Sequence, residues 1–75
     1  MSPALSDLPV RKVTRALEAA GFERARVKGS HAVYRRAQDG KVAVVPDHGT
    51  IKRGTLASIL RQAGLTPNEF LDLLD

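Results

Sequence analysis

Apolar residues recur every three to four positions in two stretches of the chain, which predicts two amphipathic helices. Each stretch is followed by a glycine and then by a large apolar residue, an order typical of a helix end whose exit packs back on the last turn. We therefore expect the helices to end at Gly21 and Gly64, with Phe22 and Leu65 folded back. The apolar positions are Val10, Val13, Leu17 and Ala20 in the first helix, and Leu56, Ile59, Leu60 and Ala63 in the second.

Residues that accept hydrogen bonds from free N–H groups indicate where helices start. Ser6 or Asp7 is predicted to cap the first helix, with Pro9 in its first turn, and Thr55 is predicted to cap the second. The segment Thr66-Pro67-Asn68-Glu69 has the form of a capping box and predicts a short third helix. Because such a short helix is marginal alone, it must pack on the rest of the domain. Its apolar residues are Phe70, Leu71 and Leu74.

Between the two main helices the pattern changes to an alternation of period two, which predicts three strands over residues 23–28, 31–36 and 41–45. Gln38-Asp39-Gly40 is a hairpin turn signal, and Pro46 is expected to end the pairing of the third strand. The alternation places Arg24, Arg26 and Lys28 on one face of the first strand as a cationic row, and His31, Val33 and Arg35 on one face of the second.

The connections between these strands are too short for parallel crossovers, so the strands should form an antiparallel sheet. We expect an α+β fold of order α-β-β-β-α with both main helices on one face of the sheet, followed by the short helix, in one domain over residues 1–75. This is the arrangement of the double-stranded-RNA-binding fold. The expected core residues are Val13, Leu17, Phe22, Val27, Leu56, Ile59 and Leu60.

The charge is unevenly distributed along the chain. All twelve Lys and Arg residues lie between Arg11 and Arg61, where they face four acidic residues, giving this segment a net charge of +8. Such a segment suits a polyanionic partner such as nucleic acid, although an ordinary solvated basic face has the same composition. There is no cysteine and no apolar run of membrane-spanning length. We expect a cytoplasmic protein that does not associate with membranes.

The segment Lys28-Gly29-Ser30-His31 combines a lysine, a hydroxyl and an imidazole with a glycine that permits positive φ. Histidine takes and gives protons near neutral pH, so His31 is a candidate catalytic group; a hairpin turn with a merely solvated histidine is the alternative. His31 and His48 lie in different segments without metal-ligand spacing, and no nucleotide-binding loop is present, so we expect neither metal nor cofactor. A histidine in a basic field suits RNA cleavage by the 2′-hydroxyl of the RNA itself.

Four ordered motifs resemble the HicA toxins of bacterial HicA–HicB toxin–antitoxin pairs. The resemblance implies an mRNA interferase of the double-stranded-RNA-binding fold, with His31 as its single catalytic histidine. It also implies a HicB-like antitoxin that covers the site and that alone brings the pair to operator DNA. The motifs are Ala16-Leu17-Glu18-Ala19-Ala20-Gly21-Phe22, Lys28-Gly29-Ser30-His31, Val45-Pro46-Asp47-His48, and residues 54–65.

The remaining site candidates rest on charge and on their place in these motifs. His48 is either a second acid–base group or part of the loop structure, and the resemblance leaves both open. Two other functions remain possible for the same fold: a non-catalytic RNA-binding module, and a subunit that binds only a protein partner. The candidate RNA-binding residues are Lys28, Gly29, Ser30, Arg35, His48 and Lys52.

Overall fold

The computed structural model describes residues 5–74. The elements are β1 (Leu8–Pro9), α1 (Val10–Ala19), β2 (Glu23–Lys28), β3 (His31–Arg35), β4 (Val42–Pro46), β5 (Thr50–Ile51), α2 (Arg53–Ala63) and α3 (Pro67–Leu73). Strands β2, β3 and β4 form an antiparallel sheet in that order, and β1 pairs with β5 in a second antiparallel sheet of two short strands. The expected α+β fold with three helices and a three-stranded antiparallel sheet is confirmed.

The core lies between one face of this sheet and the helices. Ala32 and Tyr34 of β3 and Ala43 and Val45 of β4 point into it, and each is at most 1% exposed. The opposite side, which we call the open face, carries His31, Val33 and Arg35 of β3 and their partners on β2 and β4. The helices contribute Val13, Ala16, Leu17, Leu56, Ile59, Leu60, Ala63 and Phe70 to the core, and Phe22 packs with them.

The prediction that Val27 lies in the core is wrong, because this side chain is 46% exposed, whereas the other six predicted core residues are buried. Val27 lies opposite Ala32 on the helix side of the sheet, but every residue of β2 is exposed. The physical reason is that β2 is an edge strand that extends beyond the cover of the helices.

A β-bulge divides the cationic row predicted for β2. The register shifts between Arg24 and Arg26, so Ala25 is an extra residue on this strand. Directly opposed residues share a face of the sheet, so Arg26 and Lys28 lie on the open face while Arg24 lies on the helix side. The prediction of three arginine and lysine side chains on one face is therefore wrong. The pairs are Arg24 with Tyr34, Arg26 with Val33, and Lys28 with His31.

Pro46 ends strand β4 as predicted, but it lies within the strand and pairs with His31, one residue beyond the predicted end at Val45. The N–H of Asp47 donates to the carbonyl oxygen of Ser30 at 2.8 Å. In an antiparallel pair alternate N–H groups point away from the partner strand. The N–H of Val44 points away from β3 and donates to Oε1 of Gln62 at 3.0 Å. Pro46 lies two residues further on, where the ladder requires no N–H.

The predicted caps of the two main helices are also wrong. Neither Ser6 nor Asp7 caps α1, which has no side-chain cap. The Oδ1 atom of Asp7 instead accepts a hydrogen bond at 2.8 Å from the N–H of Arg53, the first residue of α2. The N-cap position of α2 is Lys52 and not Thr55. Pairing of β1 with β5 brings the segments before the two helices together, which no local sequence pattern reveals.

The predicted helix ends are confirmed. Gly21 and Gly64 have φ of 97° and 70°. The N–H of Phe22 donates to the carbonyl oxygen of Leu17 at 3.0 Å, and that of Leu65 makes the equivalent bond to the last turn of α2 at 2.9 Å. Phe22 is buried as a result, so α1 has an anchored exit.

The capping box of α3 is confirmed as well. The N–H of Glu69 donates to the Thr66 hydroxyl at 3.1 Å, and the N–H of Thr66 donates to the Glu69 carboxylate at 2.8 Å. Phe70 is fully buried and joins α3 to the core. The short helix is therefore held by its cap and by tertiary packing.

Arg36 fastens the β3–β4 turn to the end of α1. Its guanidinium donates to the Asp39 carboxylate through Nη2 at 2.8 Å and Nε at 3.1 Å, and through Nη1 to the Ala20 carbonyl at 3.0 Å. The same group lies 4.7 Å from the centroid of the Phe22 ring. The hydrogen bonds from Arg36 are the main cause that lowers the pKa of Asp39 to about 2.

The ion pair between Arg36 and Asp39 is expected to make the stability of the fold depend on pH in the acidic range. Because the folded state lowers the pKa of Asp39, its contribution is present above the unfolded pKa of about 4 and is lost as pH falls toward 2. Asp39→Asn is expected to lower the unfolding midpoint at neutral pH and to reduce the loss of stability between pH 4 and pH 2. Urea melts of both proteins at several pH values measure this. Parallel pH profiles for the two proteins would contradict it.

Candidate functional site

The turn between β2 and β3 sets the geometry of the candidate site. Lys28 and His31 form the last opposed pair of the two strands, with Gly29 and Ser30 as the two turn residues. Gly29 has φ of 61° whereas Ser30 does not have positive φ, which is the pattern of a type II′ hairpin turn. No atom lies within 4 Å of a Cβ built on Gly29, so the glycine is required by the backbone and not by lack of space.

His31 lies on the open face between strands β2 and β4. Lys28 is opposite it on one side and Pro46 on the other. Its side chain is exposed and makes no hydrogen bond with any residue between Leu5 and Leu74. Both ring nitrogens are therefore available to a bound molecule.

The loop after β4 is held beside this hairpin by its backbone. The N–H of Asp47 donates to Ser30, and the carbonyl oxygen of Gly49 accepts a hydrogen bond from the N–H of Val10 at 3.0 Å. His48 lies between these two anchors, is exposed, and has no hydrogen-bond partner in the described part of the chain. The side chain of His48 therefore does not hold the loop in place.

Arg24 connects the same loop to β2 on the helix side of the sheet. Its Nη2 atom lies 3.9 Å from Oδ1 of Asp47. The hydroxyl of Tyr34, as a hydrogen-bond partner, and then the carboxylate of Asp47 raise the pKa of Arg24 above its ordinary value. Tyr34 is buried, as are Phe22 and Phe70, the other two aromatic residues of the chain. No aromatic side chain is therefore exposed for stacking on a nucleic-acid base.

The structure brings only some of the predicted phosphate-binding residues together. Lys28 is next to His31, and Arg35 lies on the same face of β3, four residues along the strand. Lys52 lies at the start of α2 and has no hydrogen bond or ion pair to the hairpin. Arg26, which is not among the predicted site residues, lies on the open face beside Val33 because it alternates with Lys28. The bulge removes Arg24 from this face, and no local sequence pattern indicates the bulge.

No group of three or more His, Asp, Glu or Cys side chains in residues 5–74 is arranged to hold a metal ion. None of the helices within that range is both long enough and apolar enough to cross a membrane.

The fold and the site define a class of small α+β proteins in which helices cover one face of the sheet and an exposed histidine lies on the other. A family profile described as HicA toxin of bacterial toxin–antitoxin matches residues 10–65. This match includes the hairpin of His31 and the loop of His48, and the chain belongs to the HicA toxin family. A protein antitoxin is thus the implied partner. No curated protein matches the chain with statistical significance.

Proposed function

We propose that this toxin is an endoribonuclease that cleaves mRNA with His31 as its catalytic residue, and so inhibits translation. The observation that carries the proposal is the position of His31, which lies opposite Lys28 on the open face with an exposed ring that no described residue contacts through a hydrogen bond. A catalytic imidazole needs both accessibility and a nearby cation to stabilise charge on a phosphate.

The proposed reaction uses the 2′-hydroxyl of the RNA as the nucleophile. His31 removes the proton of this hydroxyl, the 2′-oxygen attacks the adjacent phosphorus, and the bond from phosphorus to the 5′-oxygen breaks. The ammonium group of Lys28 stabilises the negative charge that develops on the phosphate oxygens. The products are a 2′,3′-cyclic phosphate and a 5′-hydroxyl.

The departing 5′-oxygen needs a proton, and we assign to His48 the role of the general acid that donates it. Its loop is tied to Ser30 by the hydrogen bond from Asp47, and its imidazole is exposed and makes no hydrogen bond within residues 5–74. Gly29 and Ser30 shape the hairpin on which the phosphate rests. Lys52 is the least supported of the proposed phosphate contacts, because nothing links it to the hairpin.

A HicB-like antitoxin is proposed to restrain this activity by covering the basic surface around His31. The segment between Arg11 and Arg61 carries a net charge of +8, which an acidic surface on the antitoxin would complement. Contact with operator DNA is assigned to the antitoxin alone. The toxin would act on mRNA in the cytoplasm.

A substituted RNA tests the reaction. An oligonucleotide with a single 2′-deoxy nucleotide at the cut site is expected to resist cleavage, because it lacks the nucleophile. The unsubstituted RNA is expected to be cut in the presence of a chelator and to leave a 2′,3′-cyclic phosphate, identified by mass spectrometry. Equal cleavage of both RNAs would overturn the mechanism. Salt-dependent binding without any cleavage would favour the alternative of a non-catalytic RNA-binding module.

A further inference from the structure

Three cations on the open face have no partner among residues 5–74. Lys28, Arg26 and Arg35 are exposed, and none forms an ion pair or side-chain hydrogen bond with the residues that the structure describes. Arg24 and Arg36, by contrast, are engaged with Asp47 and Asp39. The uncommitted charge of β2 and β3 is therefore gathered on the side of the sheet that carries His31.

These cations occupy successive same-face positions of the β2–β3 ladder. Lys28 lies opposite His31, Arg26 lies opposite Val33, and Arg35 is the next residue of β3 on this face. Alternate residues of a strand are separated by roughly 6.5–7 Å. Lys28 and Arg26 have this separation within β2, and Arg35 lies diagonally across the ladder from Arg26, so the three cations form a short row that suits the regularly spaced phosphates of a single strand.

We propose that single-stranded RNA lies along the open face with three consecutive phosphates at Lys28, Arg26 and Arg35. This proposal rests on the proposed function, since it places the phosphate that is cleaved at Lys28 and His31. The next two phosphates along the strand, both on the same side of the cleaved phosphate, then lie at Arg26 and Arg35. Arg26 shares the open face with Lys28 by regular alternation, and the bulge at Ala25 turns Arg24 away from this face, so that Arg35 is the next cation along it.

The face fits a single strand better than a duplex. A regular A-form helix holds each 2′-hydroxyl out of line with its phosphate, whereas a flexible strand can adopt the geometry of attack. The surface beside the cations carries Val33, Val42 and Val44, of which Val42 and Val44 are 42% and 39% exposed. Bases turned toward β4 would rest on this apolar surface, without an aromatic platform.

The same face also carries a carboxylate that opposes binding. Glu23 lies opposite Arg35 and does not form an ion pair with it in the structure. Beyond this pair the strands end at a groove of about 220 Å³ that Glu23 and Arg35 help to line. A phosphate at Arg35 would lie near the Glu23 carboxylate, so the charge of Glu23 weakens the site.

Binding measurements in the His31→Ala protein test the proposal without cleavage. The dissociation constant of a single-stranded RNA ten-mer is measured between 50 and 200 mM salt. Arg26→Ala and Arg35→Ala are each expected to reduce the slope of log K against log salt by about 0.7, the value for one phosphate contact on a single strand. Glu23→Gln is expected to tighten binding. Arg11→Ala, on α1 behind the sheet, is the matched control and should leave the slope unchanged.

Three binding results would overturn the proposal: unchanged slopes for both arginine variants, a comparable reduction of the slope for Arg11→Ala, or equally tight binding of the same sequence as a duplex and as a single strand. A fourth result would overturn it as well, namely that both arginine variants change only the affinity for the antitoxin. The last result would make the open face a protein-binding surface. If the slopes change as expected but the parent protein never cleaves RNA, the RNA-binding proposal stands and the proposed catalytic function fails.

Discussion

His31→Ala is expected to lower the rate of RNA cleavage by about 10²- to 10⁴-fold, the usual contribution of a positioned acid–base group. The fold should be unaffected, because the imidazole is exposed and makes no hydrogen bond in the described part of the chain. RNA affinity should also be nearly unchanged, since the cations of the open face remain. Single-turnover cleavage rates, a thermal melt and a binding titration measure these three quantities.

His48→Ala separates the two roles left open for the second histidine. A comparable loss of rate with an unchanged melting temperature would identify His48 as the second acid–base group. A lowered melting temperature with a modest loss of rate would give it a structural role, against the proposal. If purified His31→Ala cuts RNA as fast as the parent protein, and contaminating nuclease is excluded, the assignment of His31 as the catalytic residue is wrong.

Leu17→Ala and Ile59→Ala are each expected to lower the free energy of unfolding by about 2–5 kcal/mol. Both side chains are at most 1% exposed, in the cluster that joins the helices to the sheet. A loss of this size is a large part of the roughly 5–15 kcal/mol that stabilises a domain. Urea unfolding monitored by circular dichroism gives the value.

The matched control is Leu71→Ala, because Leu71 is 36% exposed on α3. This variant removes the same atoms from a partly solvated position and should cost less than about 1 kcal/mol. If Leu17→Ala or Ile59→Ala retains the unfolding midpoint of the parent, or if Leu71→Ala loses as much as they do, the assignment of the core is wrong.

Several features of the fold could be predicted because they depend on neighbouring residues. The apolar stripes of α1 and α2, the ends at Gly21 and Gly64, and the capping box at Thr66 each involve groups only a few positions apart. Local patterns of this kind reflect the period of the helix and the hydrogen bonds of its ends. The positive φ of Gly29 was predicted on the same basis.

Features that depend on distant pairing were not predicted. Asp7 caps a helix that begins at Arg53, because β1 and β5 meet in the fold. Val27 belongs to a strand of the right pattern but lies beyond the cover of the helices. Pro46 can be the last paired residue of β4 because its position in the ladder requires no N–H, which depends on the register with β3.

The candidate site divides in the same way. The sequence by itself identified His31, its glycine turn and Lys28, since a hairpin turn and a family motif each consist of consecutive residues. Only the tertiary structure decided which cations accompany His31, because one bulge at Ala25 reverses the face of every residue on one side of it relative to the other. Arg26 keeps the face of Lys28, as the alternation indicates, whereas the bulge turns Arg24 to the helix side, and the sequence pattern alone does not distinguish the two arginines.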